Sequence, residues 1–99
     1  MTPIVWSRQA DADLTAIHDY IAHDSEYYAR ITVDRIITAT DRLPKWPRAG
    51  RIVPEVDNED IRELLVGSYR VVYRLHPDAI GIVTIIHQAR EFRLAEGAV

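Results

Sequence analysis

Up to Leu43 the apolar side chains return every three or four positions, whereas beyond Gly50 they alternate or gather in β-branched runs. These are the two periods that distinguish helix from strand. Ile4-Val5-Trp6 reads as a short extended piece ahead of Ser7, whose hydroxyl can accept from the unpaired amides of a helix beginning at Arg8. Ala10, Leu14, Ile17 and Ile21 then line one apolar stripe, with Asp13, Asp19 and His23 on other sides, and the helix ends near His23. Asp24-Ser25-Glu26 offers two candidate caps for a second helix, in which Ala29, Val33, Ile36, Ile37 and Leu43 carry the pattern up to Pro44. Two helices joined by so few residues form an antiparallel hairpin.

Pro44, Pro47 and Gly50 punctuate the way out of the hairpin, and Arg51-Ile52-Val53 is a short extended piece before the acidic loop Asp57-Asn58-Glu59-Asp60. Ile61 to Val66 and Tyr69 to Leu75 then flank Gly67-Ser68, a pair suited to a two-residue type II′ hairpin turn. His76-Pro77-Asp78-Ala79 makes a second turn into Ile80 to His87, which is dense in β-branched residues. The expected fold is α+β: a short N-terminal strand, an antiparallel helical hairpin, and a three-stranded antiparallel meander packed against the helices. Unbroken pairing sets Leu64 opposite Val71, Arg62 opposite Tyr73, Tyr73 opposite Ile82 and Tyr69 opposite Ile86. Leu64, Val66, Tyr69, Val71, Tyr73, Ile82, Thr84 and Ile86 then face the helices. Glu63, Leu65, Arg70, Val72, Arg74, Val83, Ile85 and His87 share the open face, an apolar floor with a few polar groups.

Composition narrows the classes. A chain of 99 residues makes one domain over 1–99, with no internal repeat and no linker-like tract. It buries about 65% of its unfolded surface by size scaling, so association with a partner would add usefully to a modest stability. The absence of Cys excludes disulfides, thiolate zinc sites and thiol nucleophiles. No leader-like segment and no membrane-length apolar run occurs, which makes the cytoplasm the expected location. A net charge of −3 provides no footprint for non-specific nucleic-acid binding. Of the 12 basic residues only Lys45 is a lysine, and arginine is the better fork for carboxylates and phosphates.

His18 and His23 lie five apart on one helix and His76 and His87 on separate elements, so the histidines form no metal motif, and the scattered glycines form no nucleotide fingerprint. No metal or cofactor is expected. The remaining constellation is Arg62, Arg70, Tyr73, His87 and Arg90. Metal-free RNA cleavage needs a base for the ribose 2′-hydroxyl, an acid for the leaving oxygen and a cation for the phosphate, and these residue types can supply all three. The same residues also have a structural reading, with Arg70 and Arg74 as exposed sheet arginines paired to Glu63, Tyr73 in the core and His87 ending a strand. Trp6 and Trp46 read as core and hinge anchors.

The order and spacing of Gly50-Arg51-Ile52-Val53-Pro54-Glu55, Ile61-Arg62-Glu63-Leu64, Tyr69-Arg70-Val71-Val72-Tyr73-Arg74 and Ile85-Ile86-His87 with Arg90 resemble the RelE/ParE superfamily of bacterial toxins. The helical half, with Trp6, Ala10, Asp13-Leu14, Ile17, Tyr20-Ile21 and the stretch from Leu43 through Pro47 to Gly50-Arg51, is similar too, so the resemblance spans residues 4 to 91. It implies the toxin of a type II toxin–antitoxin module, held in a hetero-oligomer by a cognate antitoxin through which alone it would reach operator DNA. RelE-like members cut messenger RNA on the ribosome without metal, whereas ParE-like members inhibit DNA gyrase by binding. The acidic balance, the absence of Lys after position 45, and the run His87-Gln88-Ala89-Arg90, without the aromatic hydroxyl of a nuclease, resemble ParE. Arg70 matches an arginine shared across the superfamily, so the candidates for a nuclease are Arg62, Arg70, His87 and Arg90. A third possibility implied is an antitoxin-binding module without toxicity. For the antitoxin, Arg70, Val72, Arg74, Val83 and Ile85 are the expected contacts, with Val72, Val83 and Ile85 as an exposed apolar surface.

Overall fold

Both helices begin where a serine caps them. In the computed structural model, which describes residues 2–94, the Ser7 hydroxyl accepts from the Ala10 amide at 3.0 Å and donates to the Val83 carbonyl at 2.7 Å. The Ser25 hydroxyl accepts from the Tyr28 amide at 3.2 Å. The chain runs β1 (Ile4–Trp6), α1 (Arg8–Ala22), α2 (Glu26–Asp41), β2 (Arg51–Ile52), β3 (Ile61–Val66), β4 (Tyr69–Leu75) and β5 (Ile80–His87). The three long strands form the expected antiparallel meander, and β1 and β2 extend it to five strands in the order β1-β5-β4-β3-β2. β1 pairs in parallel with β5, because the helical hairpin supplies the crossover that a parallel pairing requires. Gly67 takes φ 55° in the β3–β4 turn and Ser68 keeps a negative φ, as a type II′ turn demands.

One irregularity in β5 changes which side chains share a face. Tyr73 pairs with Ile82 as expected, but Val72 pairs with Thr84, so Val83 is an extra residue in a β-bulge. From there on the register is one residue further along. Tyr69 therefore faces His87 and not Ile86, and Arg70 faces Ile86. Since a one-residue slip exchanges faces, Ile85 joins the helix-side core and Ile86 moves to the opposite face. Past the end of β1, α1 meets β5 through Asp13, whose carboxylate accepts from the Ile85 amide at 3.0 Å and from the Thr84 hydroxyl. The polar side of α1 thus contributes a tether to the sheet.

The main core gathers Ala10, Ile36, Leu43, Val71, Tyr73, Ile80, Ile82 and Ile85, with Trp6, Leu14 and Ile17 packed against it. A second cluster closes the other face: Val53, Ile61, Val72, Val83 and Phe92 are buried together, joined by Val56 and Ile86. The segment after β5 folds back and seats Phe92 over the sheet. Val72 and Val83 are buried beneath it and Ile85 in the helix-side core, so the exposed apolar surface expected from them does not exist. Trp6 packs against the core as expected, whereas Trp46 is 59% exposed and anchors nothing.

Candidate functional site

The sheet face opposite the helices carries a closed network of charges. Arg70 on β4 and Glu63 on β3 are diagonal neighbours, because Arg70 pairs with Leu65 and Glu63 with Val72. Arg70 Nε donates to Glu63 Oε1 at 2.7 Å, and its two terminal nitrogens grip both oxygens of Glu55 at 2.7 Å each. Its Nη1 also donates to the Arg90 carbonyl at 2.8 Å. Glu63, wholly buried, is completed from the other side by Arg51, its partner on β2, whose Nε donates to Glu63 Oε2 at 2.6 Å. Glu55 also accepts from the Phe92 amide at 2.8 Å, which ties the C-terminal segment to the turn after β2. Two carboxylates and two guanidiniums balance, and each buried polar atom is satisfied, the condition under which a buried ionic network is tolerated.

The titration of the network follows its geometry. The bidentate grip of Arg70, reinforced by the Phe92 amide, lowers the Glu55 carboxyl to about 2. Hydrogen bonding to Glu55 holds the Arg70 guanidinium above its ordinary range, against the desolvation that burial imposes. Arg70 is thus a permanently charged group that is already neutralised.

Tyr73 organises a second junction on the helix side. Its hydroxyl accepts from the Gly50 amide at 2.9 Å and donates to the Pro47 carbonyl at 2.8 Å, pinning the turn that leaves α2. Desolvation raises its pKa, opposed by the Gly50 amide and by the charges of Arg62 and Arg48. Arg62 is spent on backbone carbonyls, donating to Gly50 at 2.9 Å through Nη1 and to Glu59 at 2.9 Å through Nε.

The four residues a nuclease would recruit are therefore not brought together. Arg70 points to one face, while Arg62 and His87 belong to the other and lie at opposite ends of the meander. Their partners Tyr73 and Tyr69 are about 13 Å apart along β4 at the usual strand rise. His87 and Arg90 are exposed. The Tyr69 ring meets His87 edge-on with centroids 6.0 Å apart, and the Ala89 amide donates to His87 Nδ1 at 3.1 Å. That hydrogen bond leaves Nε2 to carry the proton of the neutral imidazole. Among the described residues no cluster of His, Asp or Glu can hold a metal ion, and no helix is long and apolar enough to cross a membrane.

An open groove lies elsewhere, where α2 passes the β3–β4 hairpin. It encloses about 510 Å³ between Ile31, Asp34, Arg35, Thr38, Ala39 and Arg42 on the helix and Leu65, Val66 and Gly67 on the hairpin. Leu65 is half exposed, and β2 pairs only with Arg62 and Glu63, so β3 beyond Glu63 keeps an open edge along the groove. The contacts expected on the open sheet face do not line this groove, although the alternation of Glu63, Leu65 and Gly67 already puts an apolar residue on the solvent side of β3. Of the expected antitoxin contacts only Arg74 is part-exposed, and the groove does not include it.

Comparison with known proteins places this architecture. A family model described as ParE toxin of type II toxin-antitoxin system, parDE, matches residues 4–92. Toxin RelE2 of Caulobacter vibrioides is 38% identical over 91 residues, covering 91% of this chain and 99% of the relative. A solved structure described as the chromosomal ParDE TA system from P. aeruginosa superposes with a TM-score of 0.73 at 26% identity, covering 88% of this chain and 96% of the other. The protein is thus a type II toxin of the RelE/ParE superfamily. Within that class the chain belongs to the ParE toxin family.

Proposed function

We propose that this toxin acts by binding DNA gyrase, without covalent chemistry of its own, and that a cognate antitoxin neutralises it in a hetero-oligomer. The observation that carries the reading is the state of Arg70. A cation that stabilises a phosphate in a transition state must have donors free to meet it, and Arg70 has committed four of its five N–H donors to Glu55, Glu63 and a backbone carbonyl. Arg62 is committed as well, and it lies at the far end of the meander from His87, whose ring meets Tyr69. The net charge of −3 also argues against the phosphate-rich surface of a ribosome. For the antitoxin, the groove beside α2 and the open edge of β3 together offer an apolar trough with Arg35 and Arg42 on its rim. That geometry suits an acidic amphipathic segment or an added strand.

The test is a supercoiling reaction with purified gyrase, plasmid and the full chain. Loss of supercoiling with accumulation of cleaved DNA supports the reading, and undisturbed supercoiling at stoichiometric excess rejects it. The alternative, ribosome-dependent cleavage of messenger RNA, draws on one observation, the exposed His87 with Tyr69 against its ring. It predicts transcripts cut within codons, and that cutting would disappear with His87→Ala while the fold persisted.

A further inference from the structure

The turn between α2 and β2 displays a tryptophan to solvent in the middle of a basic segment. Trp46 is 59% exposed. Its backbone is not loose. The Trp46 amide donates to the Arg42 carbonyl at 2.9 Å, its carbonyl accepts from Ala49 at 3.0 Å, and the Pro47 carbonyl beside it is held by Tyr73. The Lys45 ammonium stands over the indole, 5.6 Å from its centroid. Lys45, Trp46, Pro47, Arg48 and Ala49 line an open pocket of about 440 Å³ that is mainly apolar.

Charge is segregated onto the same turn. Residues 42–54 contain Arg42, Lys45, Arg48 and Arg51 and not one carboxylate, in a chain whose net charge is −3. The rest of the molecule is correspondingly acidic. Arg62 donates to the Gly50 carbonyl at 2.9 Å and so adds a further cation beside the turn. Among the described residues the ion pair made by this group is Arg51 with Glu63, which is buried behind it and already neutralised.

We propose that Trp46 and the cations around it form a docking surface for an acidic segment of a protein partner carrying a large apolar side chain. A rigidly held Trp flanked by Arg has the composition of an interface hot spot, and a preorganised turn lowers the ordering cost of binding. Arginine, which supplies three of the four charges in the segment, is the side chain that forks onto carboxylates. Nucleic acid is the less suitable occupant, because the acidic remainder of the chain repels a polyanion that extends beyond the turn. The surface adjoins the Arg70 network only through Arg51, which is held on Glu63, and its remaining cations Arg42, Lys45 and Arg48 lie outside that network; the proposal stands whichever target the toxin has.

The test is a titration of the isotope-labelled full chain, followed through the Trp46 indole N–H resonance, which is assigned by its loss in Trp46→Phe. The probes are an acidic peptide with a central Leu-Phe pair, its counterpart with Asn and Gln replacing Asp and Glu, and single-stranded oligothymidylate. The expected result is a saturable shift of the Trp46 indole with the acidic peptide alone, weakened by salt, with the Trp6 indole unmoved. Arg48→Glu, followed by the same indole, and Trp46→Ala, followed by the backbone amide resonances of Lys45 and Ala49, both at exposed positions, should each weaken that binding by about tenfold. No shift, an equal response to the uncharged peptide, or a preference for the oligonucleotide would overturn the proposal. So would a Trp46 shift that appears on raising the protein concentration without peptide, since the occupant would then be a second copy of this chain.

Discussion

Arg70 illustrates how a residue suited to catalysis becomes structural. A guanidinium on a sheet face is available for a phosphate only while its donors are free, and here Glu55, Glu63 and the Arg90 carbonyl occupy four of the five. Arg70→Ala would leave the buried Glu63 carboxylate with Arg51 as its remaining cation, and the expected loss is about 3–5 kcal/mol in urea unfolding. Arg70→Lys should recover only part of this, because a single ammonium cannot bridge two carboxylates in a bidentate grip. The depressed pKa of Glu55 fixes the sign of its pH dependence. The carboxylate contributes fully above its unfolded value of 4.5, and the contribution fades as pH falls from there toward about 2. Acid titration of the urea midpoint should therefore fall more steeply for the wild type than for Glu55→Gln across that window, and parallel curves would show that the pair is not made in solution. Gly50 and Gly67 make a contrasting pair. A Cβ on Gly50 would lie 2.5 Å from the Glu63 carbonyl oxygen and 2.7 Å from the Tyr73 hydroxyl, whereas a Cβ on Gly67 meets nothing within 4 Å. Gly67→Ala should cost only its backbone strain at φ 55°, about 1 kcal/mol. Gly50→Ala should cost about 3 kcal/mol, since backbone and the Tyr73 junction both have to move.

At the scale of elements, the segment after β5 behaves as a strap. It has no regular structure, yet Phe92 closes the second core cluster, and two of its hydrogen bonds reach Arg70 and Glu55. Phe92→Ala is expected to cost about 3 kcal/mol and to raise hydrogen exchange at Val53 and Val72, with little change in the helices. A uniform rise across the chain would mean that the strap and the helical hairpin unfold together. The helices, the II′ turn and the meander were all legible in the sequence, because each is written in local signals: Ser7 and Ser25 as caps, the apolar stripe of α1, Gly67-Ser68 between β-rich runs. The bulge at Val83 was not legible. Every residue from Ile80 to Ile86 is compatible with either face, so nothing local marks the extra residue, and the expected positions of Ile85 and Ile86 were exchanged as a result. Glu55 escaped notice for a related reason. A carboxylate between Pro54 and an acidic loop looks solvated until the sheet brings Arg70 beneath it. Asp13 likewise read as a polar-face residue until β5 brought the Ile85 amide to it.

For the whole molecule, the sheet separates two regions with different chemistry. One face holds the satisfied Arg70 network beneath the strap, and the other carries the helical hairpin with its groove and the basic turn at Trp46. A toxin that works by binding requires such surfaces and no assembled acid, base and cation. The candidate nuclease residues illustrate the limit of sequence reasoning: Arg62, Arg70, His87 and Arg90 are the right types, but the register distributes them over two faces and two ends of the meander. Family membership was legible from the order of short motifs along nearly the whole chain, and the matching family model extends over residues 4–92. The target is encoded in surface chemistry that several unrelated partners could fit. The most direct test of the account is controlled expression of the chain alone in a bacterial cell, with DNA damage and protein synthesis followed together over the first minutes. Binding to gyrase predicts an SOS response while translation continues; an early translation block with intact DNA would contradict it and return His87 and Arg90 to candidacy as catalytic residues.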